Sequence, residues 1–443
     1  MINKIETIKD ACYFFWKIES DYNLLDYNIN DKYIWQYCRF HIFEKVLIKA
    51  GIIKAPHSIF SAKKKEILSY IFSSMFKSPF YIPPKTEVLI FEHKRKKQIN
   101  EKWVDIYTEN ISDFINNKNV SYITNRDSGK HFPHDRKIFH LDLFVVAAQF
   151  SAKMRFVKNK DICYSFNQIN DKIGEVFNIK FDLVKELNYY LSVYSVYLYL
   201  YRRLLQKMKL EKIIIVVNYN NYVPLCQAAK ELQIPVFEIQ HGIITKYHMG
   251  YSYPNVIKNS LIGFPDYLIV WDRHLSKLNE IPLSEDRFIV NKNNHISNGI
   301  KKYLQIEKQK KTIAVISQGS IGASIAEVLF NNIEKLKDYV IHYKLHPGEY
   351  KSFVSYEKIS KLQKYENVIF YNDDNIHLYE ILARCEIVIG VYSTVLFEST
   401  FFNCKLIILN LPGHEYMENY IKNNQAYFAE NNELFSILSK INN

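Results

Sequence analysis

From Lys311 onward the chain alternates short apolar runs with helical stretches, and few folds accommodate that rhythm. The runs fall at 312–316, 340–345, 368–371, 387–391 and 406–409. Most are apolar without a polar-apolar alternation, which marks a strand buried on both faces; 340–345 also carries His342 and Lys344. Helical segments separate them, one opening on a capping-box pattern, Ser324-x-x-Glu327. Strands alternating with helices in this way predict a parallel, doubly wound α/β sheet.

The earlier part of the chain carries the same rhythm less regularly. Residues 1–80 read as helical and aromatic: Ile34, Cys38, Ile42, Val46 and Leu47 fall at helical spacing, and Gly51 stops the helix. Pro83-Pro84 ends that pattern, and 87–91 reads as a short buried strand followed by the basic run Glu92-His93-Lys94-Arg95-Lys96-Lys97. On composition alone such a run is a solvated loop. Its place at a strand end favours a ligand role, because ligands of α/β sheets bind beyond the carboxyl ends of the strands. Trp103 to Tyr107 and His131 to Asp135 read as polar-aromatic loops. A long helix over 181–210 leads into a strand at 212–217, a helix near 224–232, a strand at 235–239, the loop Gln240-His241-Gly242 and a strand at 266–271. The polar, weakly patterned stretch 291–310 is the expected boundary, which gives an N-terminal domain over 1–295 and a C-terminal domain over 296–443. At 443 residues the chain is too long for one core.

Composition narrows the partners. Hydrophobic content of 48% supports a packed interior. Lys plus Arg exceeds Asp plus Glu by 58 − 46 = 12, which suits an anionic partner: a nucleotide, a phospholipid surface or a nucleic acid. No nucleic-acid-binding motif is present and the lysines are spread along the chain, so no nucleic acid is expected. The six cysteines lie in apolar surroundings without a C-x-x-C pair, as in a cytosolic protein. The start of the chain lacks the apolar core of a signal peptide. The most apolar helical stretch, 189–200, is too short to span a bilayer. It ends in Tyr201-Arg202-Arg203 and reads first as a buried helix, second as one lying at a membrane interface.

Three strand ends of the C-terminal domain carry residues suited to an anionic ligand. The first delivers Ser317-Gln318-Gly319-Ser320, a small loop that is not a G-x-G-x-x-G fingerprint and so does not support a dinucleotide cofactor. The second delivers Lys344-Leu345-His346-Pro347, where Pro347 fixes the turn that aims His346. The fourth ends in Tyr392-Ser393-Thr394 as a helix opens, which offers hydroxyls and backbone N–H groups to a phosphate. Glu398, one turn into that helix, is placed to accept from ribose hydroxyls. Strand ends of one sheet share one crevice, so Ser317, His346, Ser393 and Glu398 are expected to converge. That set suits a sugar nucleotide.

H-P after one strand, S-T-x-x-x-E after another, then an F-x-x-C-K-L-I-I-L strand resembles the donor half of GT-B-fold glycosyltransferases. Within that group the chain is similar to bacterial capsule and lipopolysaccharide enzymes of the polysialyltransferase-like, Kdo-transferase-like and CDP-glycerol glycerophosphotransferase-like kinds. Gln240-His241-Gly242 with His248-Met249-Gly250-Tyr251 resembles the Q-H-G…H-x-G-Y stretch of surface-glycan transferases in the same group. The likeness covers roughly residues 210 to 415. It departs at Tyr392-Ser393-Thr394, where the sialyl and glycerophosphate members tend to have two serines. The resemblance implies two Rossmann-like domains facing across a cleft, with a helical N-terminal extension. It also implies that His346, Ser393 and Thr394 hold the donor's phosphate.

The expected reaction is metal-independent transfer of a sugar from a CMP- or other nucleotide-linked donor to a growing cell-surface glycan, free or lipid-linked. Lys344, His346, Ser393 and Thr394 would stabilise the departing phosphate without a cofactor or a metal; no D-x-D is present, and Asp373-Asp374 are adjacent in a loop. The base or nucleophile is expected in the N-terminal domain, with His241, Glu92, Asp105 and Asp135 as candidates and His241 foremost. Gln240, Gly242, His248, Tyr251, Lys94 and Arg95 are expected to line the substrate side. The expected location is the cytoplasm, peripherally at the inner face of the membrane. CDP-alditol phosphotransfer and sugar-nucleotide epimerisation remain open alternatives, with a non-catalytic nucleic-acid binder the remote one.

Overall fold

The computed structural model describes residues 5–53, 72, 74–94, 96–99, 101–116, 118–127, 130–154, 160–271, 273–292, 295–319, 321–350, 353, 356–373 and 375–442. Arg95, Ser320 and Asp374 lie outside them. The chain forms two compact units: the first runs for the most part up to His295, and the second takes the chain from Ile296 together with Glu6–Lys9.

The first unit is built on a parallel sheet. Its strands are β1 (Val88–Phe91), β4 (Val120–Thr124), β5 (Ile138–His140), β6 (Lys212–Val216), β7 (Val236–Ile239), β8 (Tyr267–Val270) and β9 (Phe288–Val290). A separate antiparallel hairpin, β2 (Lys97–Ile99) with β3 (Lys102–Val104), hangs from the end of β1. The sheet order is β5-β4-β1-β6-β7-β8-β9, with every pairing parallel. Strand order reverses direction between β1 and β6, so the crevice for a ligand lies beyond the ends of those two strands. β1 is V-L-I-F with every residue buried, the signature of a strand covered on both faces.

The helix Leu183–Leu205 carries the apolar stretch read at 189–200. It packs against the helices Ile34–Lys49, Asp142–Met154, Lys160–Phe177 and Val223–Glu231, with Tyr194, Tyr197, Leu198 and Tyr201 buried. It is a core helix of this unit. Its last-turn Arg202 pairs bidentately with Glu231 at 2.6 Å. Among the described residues no helix is long and apolar enough to cross a membrane.

The second unit has β10 (Gln309–Ile316), β11 (Val340–Lys344), β12 (Val368–Tyr371), β13 (Cys385–Gly390), β14 (Lys405–Leu409) and β15 (Tyr427–Ala429) in the order β12-β11-β10-β13-β14-β15, all parallel. This is a Rossmann-type order with its switch point between β10 and β13. Ile313, Val315, Ile341, Tyr343, Ile387, Ile389, Ile407 and Leu409 anchor its core. Two parallel-sheet α/β units of this kind fit the expected fold class.

One local expectation fails. The helix near Ser324 runs Gly322–Asn332 with Ile321 at its N-cap, so Ser324 and Glu327 lie inside the helix and form no cap. The capping box of this unit is at Pro347–Glu349. There the His346 side chain accepts from Gly348 N at 3.0 Å, and Glu349 Oε2 accepts from His346 N at 2.9 Å. A histidine can serve because its Nδ1 reaches the same N–H that a serine oxygen would.

Candidate functional site

In the second unit the switch point is closed by one glutamine. Gln318, just past β10, accepts from Tyr392 N at 3.1 Å through Oε1, and its Nε2 donates to the Tyr392 carbonyl. This paired amide contact joins the ends of β10 and β13 and fixes where Ser393 begins. Beside it, Ser317 Oγ donates to Glu349 Oε1 at 3.0 Å, and Glu349 holds His346 N. The structure therefore brings together Ser317, Gln318, Gly319, His346, Pro347 and Ser393 at the crevice. Because His346 Nδ1 accepts from Gly348 N, a neutral ring carries its proton on Nε2, and the side chain is exposed. Glu349 was not singled out in the sequence, yet it links Ser317 to His346. Burial pushes its carboxyl up from the ordinary glutamate value, against the two hydrogen bonds that lower it.

Lys344, Ser393 and Glu398 are each engaged within the unit itself. Lys344 is 7% exposed and spends its ammonium on the Tyr350 hydroxyl at 2.6 Å and on the Asp373 carbonyl, tying β11 to the loop after β12. Ser393 is the N-cap of the helix Thr394–Thr400, its Oγ accepting from Val395 N at 3.2 Å. That helix has only seven residues, so hydroxyls and loop N–H groups matter more here than any macrodipole. Glu398 is 8% exposed, on the inward side of the same helix. Thr394 is half-buried at its first position.

In the first unit a second set of side chains gathers at the carboxyl ends of β1, β6 and β7. Gln240 is buttressing: its Oε1 accepts from Trp271 N at 3.0 Å and its Nε2 donates to Gly242 O at 3.0 Å, which pins the loop on both sides of His241. The Tyr219 hydroxyl lies 3.4 Å from His241 Nε2, and the Tyr251 hydroxyl lies 3.4 Å from Nδ1. His93 and Tyr107 rings lie 6.4 Å from the His241 ring, centroid to centroid. His248 accepts from Gly250 N at 3.2 Å and stacks on Phe40. Gly250 has to be glycine, because a Cβ there would meet the Tyr219 ring at 2.5 Å. Arg39, paired with Glu19 at 2.7 Å, donates to the carbonyls of Met249 and Ser252 and so holds the loop that carries Tyr251. Burial holds His241 down at about 3 and His248 at about 4, so both imidazoles are neutral at physiological pH.

The carboxylate candidates bond to partners other than His241. Glu92 is 1% exposed and is saturated by Lys96 at 2.6 Å and Arg136 at 2.7 Å. Asp105 accepts from His93 N, Tyr107 N and Thr108 Oγ1 at 2.7, 3.1 and 3.0 Å. Burial lifts it to about 6, and its bonds set the loop that presents His93 and Tyr107. Asp135 forms an exposed ion pair with Lys102 at 2.6 Å. Lys94 is exposed; Lys96, read as part of a basic patch, is instead the buried partner of Glu92.

Among the described residues one cluster has the distances of a metal site: single ligand atoms of His131, His140 and Asp142 all lie within 4.8 Å of one another. Its geometry is that of an ion-pair network. Asp142 Oδ2 already accepts from Ser74, Arg126 and His131 at 2.7–2.8 Å. The two imidazoles stack at 3.6 Å with planes 11° apart, so they cannot both aim in-plane lone pairs at one ion.

Glu238 is a second residue that sequence reading passed over. It lies inside V-F-E-I of β7, fully buried, with Oε1 accepting from the Tyr251 hydroxyl at 2.5 Å and from Asn218 N at 3.0 Å. A carboxyl inside an otherwise apolar parallel strand was the available signal.

No known protein family matches the sequence, and no curated protein matches it. Among solved structures the chain is similar to MurG from Acinetobacter baumannii, at TM-score 0.48 and 10% identity, covering 81% of this chain and 91% of that one. It is similar to the UDP-GlcNAc 2-epimerase from Methanocaldococcus jannaschii at TM-score 0.46 and 11% identity (80% and 91% covered). A third is the UDP-GlcNAc 2-epimerase from Neisseria meningitidis bound to UDP-GlcNAc, at TM-score 0.44 and 12% identity (80% and 90% covered). At such distances no ligand or residue role transfers from them to this chain.

Proposed function

We propose that this protein is a glycosyltransferase that moves a sugar from a nucleotide-activated donor to a hydroxyl of a cell-surface glycan, free or lipid-linked. The observation that carries the reading is the switch-point crevice of the second unit, where the Gln318 amide locks Tyr392 beside Ser393 while the Ser317–Glu349 link holds the His346 turn. Donor phosphate would be met by His346 Nε2–H, by hydroxyls of Ser393 and Thr394, and by loop N–H groups. Charge leaving on the phosphate is then stabilised by fixed dipoles and one imidazole. Lys344, committed to Tyr350 and Asp373, supports the crevice rather than the phosphate.

On the acceptor side we assign His241 as the base. It is neutral, lies at the strand ends of the first unit, and is fixed by two tyrosines. Its ring takes the acceptor hydroxyl proton as the new glycosidic bond forms and the nucleotide departs. The net charge of +12 supports a peripheral position on an anionic membrane surface near a lipid-linked acceptor.

A thermal-shift screen of CMP-, CDP-, UDP- and GDP-linked sugars tests the reading, since a ligand that binds only the folded chain must raise its stability. At least one donor is expected to raise Tm at millimolar concentration. No shift with any of them contradicts the proposal, and turnover of a bound donor without any acceptor would make the protein an epimerase.

A further inference from the structure

The hydrogen bonds around Glu238 run in one direction. Oε1 receives the Asn218 N–H at 3.0 Å. That N–H is presented by Val217, which is held at φ +67. A β-branched residue in the left-handed region costs on the order of 1–2 kcal/mol, so the turn after β6 is over-determined by its surroundings. Asn218 is also fixed by its own side chain, which donates to Gly263 O at 3.0 Å. The Tyr251 hydroxyl is 2.5 Å from the same Oε1. An N–H already aimed at Oε1 favours the carboxyl proton, when present, on Oε2, so Tyr251 donates in either charge state. Its single proton is then spent, and its oxygen faces His241 Nδ1, 3.4 Å away, as an acceptor.

We infer that Glu238 is a positioning residue which, through the Tyr251 hydroxyl, holds His241 in the Nδ1–H tautomer and leaves Nε2 as the lone pair that receives a proton. This rests on the reading of His241 as the acceptor-side base. It adds the group that makes one particular nitrogen basic. Neutral histidine in water favours the opposite tautomer, so the assignment is not the default. Tyr219, whose hydroxyl faces Nε2 at 3.4 Å, occupies the place an acceptor hydroxyl would take and is the group such a hydroxyl displaces.

The experiment reads the tautomer directly and needs no substrate. Two-bond 15N–1H correlation spectra of the full chain labelled at histidine are recorded at pH 7.5, with the His241 signals identified by their loss in His241→Gln. The expected wild-type pattern has a protonated Nδ1 and an unprotonated Nε2. Tyr251→Phe and Glu238→Leu should both shift His241 toward Nε2–H, while Tyr219→Phe and Glu238→Gln, whose amide oxygen still accepts from Asn218 N and the Tyr251 hydroxyl, should not. A wild-type His241 in the Nε2–H form overturns the inference, as does a tautomer unchanged in both Tyr251→Phe and Glu238→Leu. Should Glu238→Leu fail to fold, the wild-type spectrum and Tyr251→Phe still decide. An Nδ1–H His241 in a chain that binds no sugar nucleotide would remove the transfer reaction and leave this inference standing.

Discussion

Single residues in this protein change meaning once their partners are known. Glu92 and Asp135 look alike as candidate carboxylates, yet one is a buried, doubly paired anion and the other an exposed ion pair. Glu92→Ala should cost about 3–5 kcal/mol by leaving Lys96 and Arg136 without their carboxylate, whereas Asp135→Ala should stay within about 0.5 kcal/mol. Urea unfolding midpoints would separate the two, and equal losses would contradict the difference in burial. Glu238 adds a pH signature. Burial, the largest influence on it, lifts its carboxyl to about 7, above the ordinary glutamate value near 4.3. The folded chain therefore holds the proton more tightly than the unfolded chain between these values, and stability from this group is lost as pH rises from about 4.3 through 7. Wild type should lose about 3 kcal/mol relative to Glu238→Gln across that range, measured as the difference between their stabilities at each pH. His241, held near 3, acts oppositely in both proteins, so it cancels in that difference. A flat difference would mean that Glu238 is not buried as an acid.

At the scale of elements, the second unit depends on how closely the helix after β10 approaches the turn after β11. Gly322, the first residue of that helix, has no room for a side chain: a Cβ would lie 1.8 Å from Glu349 Oε1 and 2.7 Å from Ser317 Oγ. Gly322→Ala should break the Ser317–Glu349 link and destabilise the chain by about 1–3 kcal/mol. Calorimetric unfolding would show it, and an unchanged Tm would mean that the link is dispensable. Strands such as β6 and β14 were legible because their apolar runs, K-I-I-I-V and K-L-I-I-L, are buried on both faces, whereas β4, V-S-Y-I-T, carries Ser121 and Thr124 and was not read. The hairpin β2–β3 was not, because its strands are three residues each and mostly exposed, with no burial pattern to read. Edge strands β5, β9 and β15 are equally short. Spacing could propose that Ser317, His346 and Ser393 meet. It could not show that Glu349 connects two of them, that Lys344 is diverted, or that Glu238 lies beneath His241, since each of these depends on which residue a fold places opposite.

For the whole molecule, the two sheets each provide a strand-order reversal, and each reversal carries its own set of polar side chains. In the second unit these are hydroxyls, an amide and an exposed imidazole, which we propose meet the donor phosphate. In the first they are neutral imidazoles and tyrosines over a buried acid, which we propose move a proton. Arg95, expected on the substrate side, lies outside the described residues, and the excess of 12 positive charges belongs to the chain as a whole. The most direct test is titration calorimetry of the sugar nucleotide that gives the largest thermal shift against wild type, Gln318→Ala, His346→Ala and Ser393→Ala. We expect measurable binding to wild type and at least a tenfold loss, about 1.4 kcal/mol, in each variant. Unchanged affinity in both His346→Ala and Ser393→Ala would contradict the assignment of the donor phosphate to this crevice.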